Sequence, residues 1–249
     1  MKKISLKLQL CLFLFVFSLF LAWPDHAFFF PVKSIIAVIA AAFIDSLCLF
    51  FKTRKFKLTE SSLITGLIVG FVLSSDAGTG FFAAVAGLAI LSKFLVRFKG
   101  KHIFNPAAAG IFLAIVLFKQ ATQWHGAYSW YIIIPAGFYF TWRIRKLPIV
   151  GAYFLAYVIM YGVRAYWLKT PFLDQIVYAN YFFIFIMLIE PKTSPFDFKE
   201  GAAFGIVVSM VSFILYAAGF PYDADLPALL AGNLAFALWN GRPRKTLTK

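Results

Sequence analysis

The chain has 249 residues, of which 62% are hydrophobic and 14% charged, with a mean hydropathy of +0.83 and a net charge of +14. Soluble domains average about 45–50% apolar and about 25% charged residues, which excludes an ordinary cytosolic enzyme; disorder needs low hydrophobicity and is excluded more firmly. What remains is an all-α polytopic membrane protein, whose length at roughly 20 residues per crossing leaves no room for a soluble catalytic domain.

The first apolar run, Leu8 to Trp23, follows Met1-Lys2-Lys3 and superficially matches a signal peptide. It is long for an h-region, and Trp23-Pro24-Asp25-His26 offers no A-x-A cleavage site, so it reads as a first transmembrane helix. Further apolar runs, broken by charges, Pro and Gly, fall at about 31–51, 61–75, 80–97, 104–118, 127–142, 147–165, 175–190, 200–219 and 224–239. Nothing alternates as a barrel strand would, so these predict ten transmembrane helices, each satisfying its own backbone. With the amino terminus in the cytoplasm, only Lys33, Lys119, Arg164 and Lys169 fall outside, and the other 20 of the 24 basic residues fall inside. This sorting follows the positive-inside rule and predicts both termini on the cytoplasmic side of the inner membrane. The basic charge then sets orientation and needs no nucleic-acid partner.

Ten helices divide into five plus five. An odd number per half inverts the second half, giving possible repeat halves 1–120 and 121–249 within a single integral membrane domain, 1–249. The third and fourth helices meet at Leu73–Gly80, and their counterparts, the eighth and ninth, meet at Leu188–Pro195. Both junctions are polar and broken by Gly or Pro, the pattern that points to a ligand site near a pseudo-symmetry axis; plain loops are the alternative.

Several residues within this framework are chemically expensive. Asp45 lies inside the second run, where a carboxylate marks either an ion path or a hydrogen-bonded packing contact. Glu190 precedes Pro191 at a helix end, with Thr193 and Ser194 following, and joins Asp45 as an ion-path candidate. Asn105-Pro106 reads as a helix start, Asn at the cap and Pro in the first turn, and such starts attract anions. Cys11 and Cys48 cannot build a four-thiolate cluster within one chain. His26, His102 and His125 sit near helix ends, where paired axial haem ligation is not expected. No metal-ligand, P-loop or Ser-His-Asp spacing occurs.

Three stretches together resemble the NqrB/RnfD family, the flavin-bearing membrane subunits of Na⁺-translocating NADH:quinone oxidoreductase and Rnf electron-transport complexes. They are Ser62–Gly70 with Thr65; Lys93 followed by Gly100–Gly110 with Asn105 and Pro106; and Glu190-Pro191-Lys192-Thr193-Ser194-Pro195. Asn233 is similar to the family's late asparagine. The resemblance covers about residues 60–240 and implies a ten-helix inverted repeat passing electrons across the membrane by flavin. It implies cofactor contacts at Thr65, Lys93, Asn105, Pro106, Glu190, Thr193, Ser194 and Asn233. The family also joins a flavin mononucleotide to a threonine of an S-G-A-T motif. The corresponding loop here holds Ala121-Thr122 without the acidic residue, Ser and Gly before them, so Thr122 is the candidate attachment point and the flavin (FMN or riboflavin) is expected to be noncovalent. No haem or iron–sulfur group is expected within the chain. Its partners would be the lipid bilayer, other electron-transport subunits, or a soluble flavoprotein or iron–sulfur reductase. It would then be a subunit of an ion-translocating oxidoreductase rather than a whole enzyme, with coupling to Na⁺ or H⁺ left open. The competing expectation is a flavin-free transporter or channel for a small solute or ion on the same fold.

Overall fold

A computed structural model describes residues 4–23, 29–127, 129–177 and 179–240. His26, the lysines at 2 and 3 and the basic residues beyond Asn240 lie outside the described residues. Among the described residues the regular structure is helical apart from one hairpin of two-residue strands. In order it forms α1 (Leu6–Ala22), α2 (Phe29–Thr53), α3 (Glu60–Val72), α4 (Thr79–Leu95), β1 (Arg97–Phe98), β2 (Lys101–His102), α5 (Pro106–Phe118), α6 (Trp130–Arg143), α7 (Leu147–Leu168), α8 (Phe172–Val177), a π-helical turn (Phe183–Met187), α9 (Phe198–Ala217) and α10 (Asp225–Asn240). Helices α2, α7 and α9 are long and apolar enough to cross a membrane, while α1, α3, α4 and α5 are apolar but shorter. Both cysteines are free thiols.

Local chemistry sets the helix starts. Ser5, Thr59 and Asp197 accept main-chain N–H groups of the first turns of α1, α3 and α9. Asn105 does the same for α5, with Pro106 at the first helical position, where a missing N–H costs nothing.

Helix α2 carries α3 and α4, and α4 carries α5; in the second half α7 carries α9, and α9 carries α10. Helix α1 packs on α3 as α6 packs on the π turn, and α5 meets α10. Small residues permit the close approaches. A Cβ at Gly66 would stand 2.5 Å from Val38 Cα of α2, and one at Gly205 only 2.3 Å from Ile149 O of α7. Each glycine belongs to a small-xxx-small pair, Gly66/Gly70 and Gly201/Gly205. In lipid such backbone contact replaces the hydrophobic drive that water would supply.

One expected helix is overturned. The run 175–190 is interrupted after α8, because Asn180 begins a new turn: its Oδ1 accepts Phe183 N at 3.0 Å while its Nδ2 donates to Asp225 Oδ2 at 3.4 Å. The new turn is wide, closing from Leu188 N to Phe183 O at 3.0 Å, and Phe183–Met187 are all buried. The run 80–97 also stops early, at Leu95, and turns into the hairpin. Lys99 and Gly100 occupy its tip with φ of 48° and 82°, the left-handed pair that a tight two-residue hairpin requires.

Candidate functional site

The first turn of α5 meets the segment after the π turn. Met187 O would accept from residue 191 in a regular helix, but that residue is Pro191, which has no N–H. The carbonyl receives only a 3.4 Å bond from Glu190 N and takes a second, at 3.1 Å, from Asn105 Nδ2. Asn105 Oδ1 caps α5 through Ala108 N at 3.1 Å, and Asn105 N donates to Asn233 Oδ1 at 2.9 Å. Asn233, on α10, completes the circuit by donating Nδ2 to Thr193 O at 3.1 Å. The two asparagines are 3% and 1% exposed, so each of these groups would be costly to leave unpaired. Together they tie α5, α10 and the 188–195 junction into one unit.

Glu190 stands at the rim of this unit. Thr193 Oγ1 donates to its Oε2 at 3.0 Å, and Ser194 Oγ donates to its main-chain carbonyl at 2.7 Å. The hairpin turns the buried side of β2 inward, bringing His102 Nε2 to 3.4 Å from Glu190 Oε1. The Glu190 side chain keeps 23% of its surface exposed, so this carboxylate still reaches the outside of the circuit.

Asp45 is fully buried and paired. Lys93 Nζ lies 2.7 Å from its Oδ1, and Thr59 Oγ1 donates to Oδ2 at 2.6 Å. Lys93 also reaches Ser61 Oγ at 3.3 Å, so one ion pair locks α2, α4 and the start of α3. The ion-path carboxylate and the cofactor lysine expected from sequence are therefore each other's partners. Lys192 joins them electrostatically: partial burial and the charges of Lys93 and Lys7 push its pKa down, while Glu190 and Asp45 oppose that shift.

Each junction is also pinned by a lysine that the sequence reading passed over. Lys33 Nζ, early in α2, donates to Ser75 O and, at 2.9 Å, to Ala77 O, and lies 5.7 Å from the centre of the Phe82 ring. Lys146 Nζ, just before α7, donates to Ser194 O at 2.9 Å and to Pro195 O, and sits 3.5 Å from the centre of the Phe196 ring. Lys146 is wholly buried with no carboxylate partner among the described residues, and burial pushes its pKa down to about 7.

Two expected site residues stand apart. Thr65 Oγ1 donates to Ser61 O of its own helix at 2.9 Å. Thr122 lies beyond the far end of α5, a helix of 13 residues that spans about 20 Å. The loop 122–125 is laced to the end of α3: Thr122 bridges Leu73, and Gln123 N and His125 N donate to Val72 O and Phe71 O at 2.9 and 2.7 Å. Thr122 Oγ1 donates to Asp223 Oδ2 at 3.4 Å, and the Trp124 indole donates to the same oxygen. Asp223 Oδ1 accepts Asp225 N and Leu226 N at 2.9 and 3.3 Å, and burial pushes the Asp223 pKa up. Asp225 in turn accepts from Ser212 Oγ at 2.6 Å and from Tyr153 OH and Asn180 Nδ2, both at 3.4 Å. This Asp-x-Asp start of α10 was visible in the sequence as two acids before an apolar run.

Neither family models nor curated proteins match this chain.

Proposed function

We propose that the chain is the membrane subunit of a flavin-dependent electron-transport complex of the NqrB/RnfD kind, with a noncovalent flavin at the junction of Asn105, Glu190 and Asn233. The observation that carries this reading is the circuit itself: Asn105 and Thr193, from two of the stretches that resemble the family, are each hydrogen-bonded to Asn233, and Asn105 also donates to Met187 O just before the second stretch. Convergence of sequence-distant stretches on one buried circuit is what a ligand site demands, and wide helical turns recur at such sites.

The reading includes ten membrane-crossing segments in a 5+5 inverted repeat. Supporting it are the matched packing of α2 with α3 and α4 and of α7 with α9, the paired small-xxx-small contacts, and the lysine pins Lys33 and Lys146 at corresponding places in the two halves. Both termini would lie on the cytoplasmic side, as the basic residues indicate.

The donor set suits a phosphate-bearing ring system. Lys93, Lys192 and His102 supply cationic or N–H groups for a phosphate or polar tail. The Glu190 carboxylate supplies an acceptor for a ring imide N–H. Asn105 and Asn233 spend their own donors on main-chain carbonyls, so they shape the site. A bound flavin supplies one- and two-electron chemistry that no side chain here provides. Thr122, bonded to Asp223 at the other end of α5, has no part in the proposed site. Electrons would come from other electron-transport subunits or a soluble flavoprotein or iron–sulfur reductase, and coupling could be to Na⁺ or H⁺.

The buried Asp45–Lys93 pair favours one second reading, a flavin-free transporter in which Asp45 and Glu190 line the path of a small solute or ion. The visible spectrum of detergent-purified protein from flavin-replete cells separates the two. A yellow protein whose flavin washes away on denaturing supports the electron-transfer reading. A fluorescent band that survives denaturation overturns the noncovalent assignment and directs attention to Thr122. A colourless protein overturns the flavin reading in favour of transport.

A further inference from the structure

At the end of the molecule where α7 and α9 begin, the α6–α7 turn and the approach to α9 form an open groove of about 640 Å³, lined by Trp142, Arg143, Arg145, Pro148, Phe196 and Phe198. We propose that this groove binds the headgroup of one anionic phospholipid, with the phosphate held by Arg143 and Arg145 and the start of the acyl chains lying along Trp142, Phe196 and Phe198. The site requires that the chain lie in a bilayer and is independent of the flavin reading.

The depth of the groove is the first argument. Helices α7 and α9, both long and apolar enough to cross a membrane, start at Leu147 and Phe198, on its edge. It therefore lies where crossing helices pass through the headgroup layer. Trp142, Phe196 and Phe198 are 59%, 63% and 70% exposed. Such a cluster of bare aromatic rings would be a liability in water and is ordinary at a membrane interface.

Charge is the second argument. Among the described residues no carboxylate lines the groove, and Asp197, beside it, spends Oδ1 on Lys199 N and Glu200 N. Among the described residues the Arg143 guanidinium bonds only Tyr139, 3.2 Å from the hydroxyl. Arg145 is exposed, and among the described residues its guanidinium has no partner. Lys146 is buried and spends its Nζ on the Ser194 and Pro195 carbonyls and the Phe196 ring. Two exposed guanidinium groups flanked by interfacial aromatics match a phosphodiester, which arginine binds through paired N–H donors. The chain's own segment 241–249 is itself cationic and supplies no counter-charge. An acidic peptide would neutralise the arginines equally well but would not need rings at bilayer depth.

The test is a melting-temperature titration of the full chain in neutral detergent. Phosphatidylglycerol should raise the melting temperature saturably, and phosphatidylcholine at the same mole fraction should not. Arg145→Gln should weaken the apparent affinity for phosphatidylglycerol about fivefold and leave the lipid-free melting temperature unchanged, with Arg143→Gln adding a similar factor. Arg97→Gln, on the hairpin, should keep the wild-type response. The proposal is overturned if phosphatidylcholine matches phosphatidylglycerol, if Arg145→Gln titrates as wild type, or if Arg97→Gln weakens the response equally. It is also overturned if water-soluble glycerol phosphate gives the same shift, which would assign the groove to a free anion.

Discussion

The two interhelical junctions of this molecule are built on one plan and finished differently. In the first half, Lys33 pins Ser75 and Ala77 between α3 and α4; in the second, Lys146 pins Ser194 and Pro195 before α9. The preceding elements diverge. Helix α3 is regular and pressed onto α2 through Gly66 and Gly70, and its last carbonyls, Phe71 O and Val72 O, are taken by main-chain N–H groups of the 122–125 loop. The segment before the second junction is broken at Asn180, widened into a π turn and ended by Pro191, so Met187 O and Thr193 O are available to side chains from α5 and α10. The first half thus serves as scaffold, and the second opens its backbone where the circuit forms. A helix exposes carbonyls only where its regular bonding fails: at the end of α3 main-chain amides fill them, and at the π turn and Pro191 side chains do.

The scaffold side breaks most severely at its ion pair. Lys93→Met strands the buried Asp45 carboxylate and should cost about 3–5 kcal/mol in stability, while Lys93→Met/Asp45→Leu should recover most of it. Chemical denaturation of the single and double variants measures the difference, and equal losses would show that the pair is not the lock. On the open side, Asn233→Leu removes two cross-links at once and leaves Asn105 N and Thr193 O unpaired, an expected loss of about 2–4 kcal/mol read in the same assay.

The lysine pins sharpen the comparison. Lys146→Met should destabilise more than Lys33→Met, because Lys146 is wholly buried and Lys33 only half so. The Lys146 pin should also respond to pH. Burial lowers the folded-state pKa of Lys146 from its ordinary 10.5 to about 7, so between these values the unfolded chain binds the extra proton. The burial cost is fully present below pH 7 and relaxes as pH rises, so wild type should gain stability over Lys146→Met from pH 7 to about 10.5. A flat difference in melting temperature across that window would exclude this coupling. Smallest in stability is Glu190→Gln, whose carboxylate is partly exposed at the rim. It should fold as wild type and yet slow electron transfer or transport in membrane vesicles; unchanged activity would remove Glu190 from the mechanism.

Much of the architecture follows from the sequence. Apolar runs bounded by charge and Pro place α2, α4, α7 and α9 within a few residues, because a helix in an apolar environment must satisfy its own backbone. Asn105-Pro106 announces the start of α5 through purely local chemistry; Glu190, Thr193 and Ser194 were legible as site candidates from their residue types and order, and Asn233 only through the family resemblance. The partners of these side chains were not legible. Asp45 read as a lone carboxylate until α4 delivered Lys93 from 48 residues away, and Lys146 read as one more interfacial cation until the 194–195 carbonyls closed over it. The break at Asn180 was hidden as well, since an unbroken apolar run is equally consistent with one helix. What ends it is a side chain drawn to Phe183 N and Asp225 at once, and only the packed structure brings the second of these within reach. Local propensity and hydropathy are properties of neighbours along the chain, so the sequence alone determined the helical segments and their polar ends. Burial and pairing depend on residues distant in the chain, so the tertiary structure decided which polar groups lock the halves and which remain at the rim of the site.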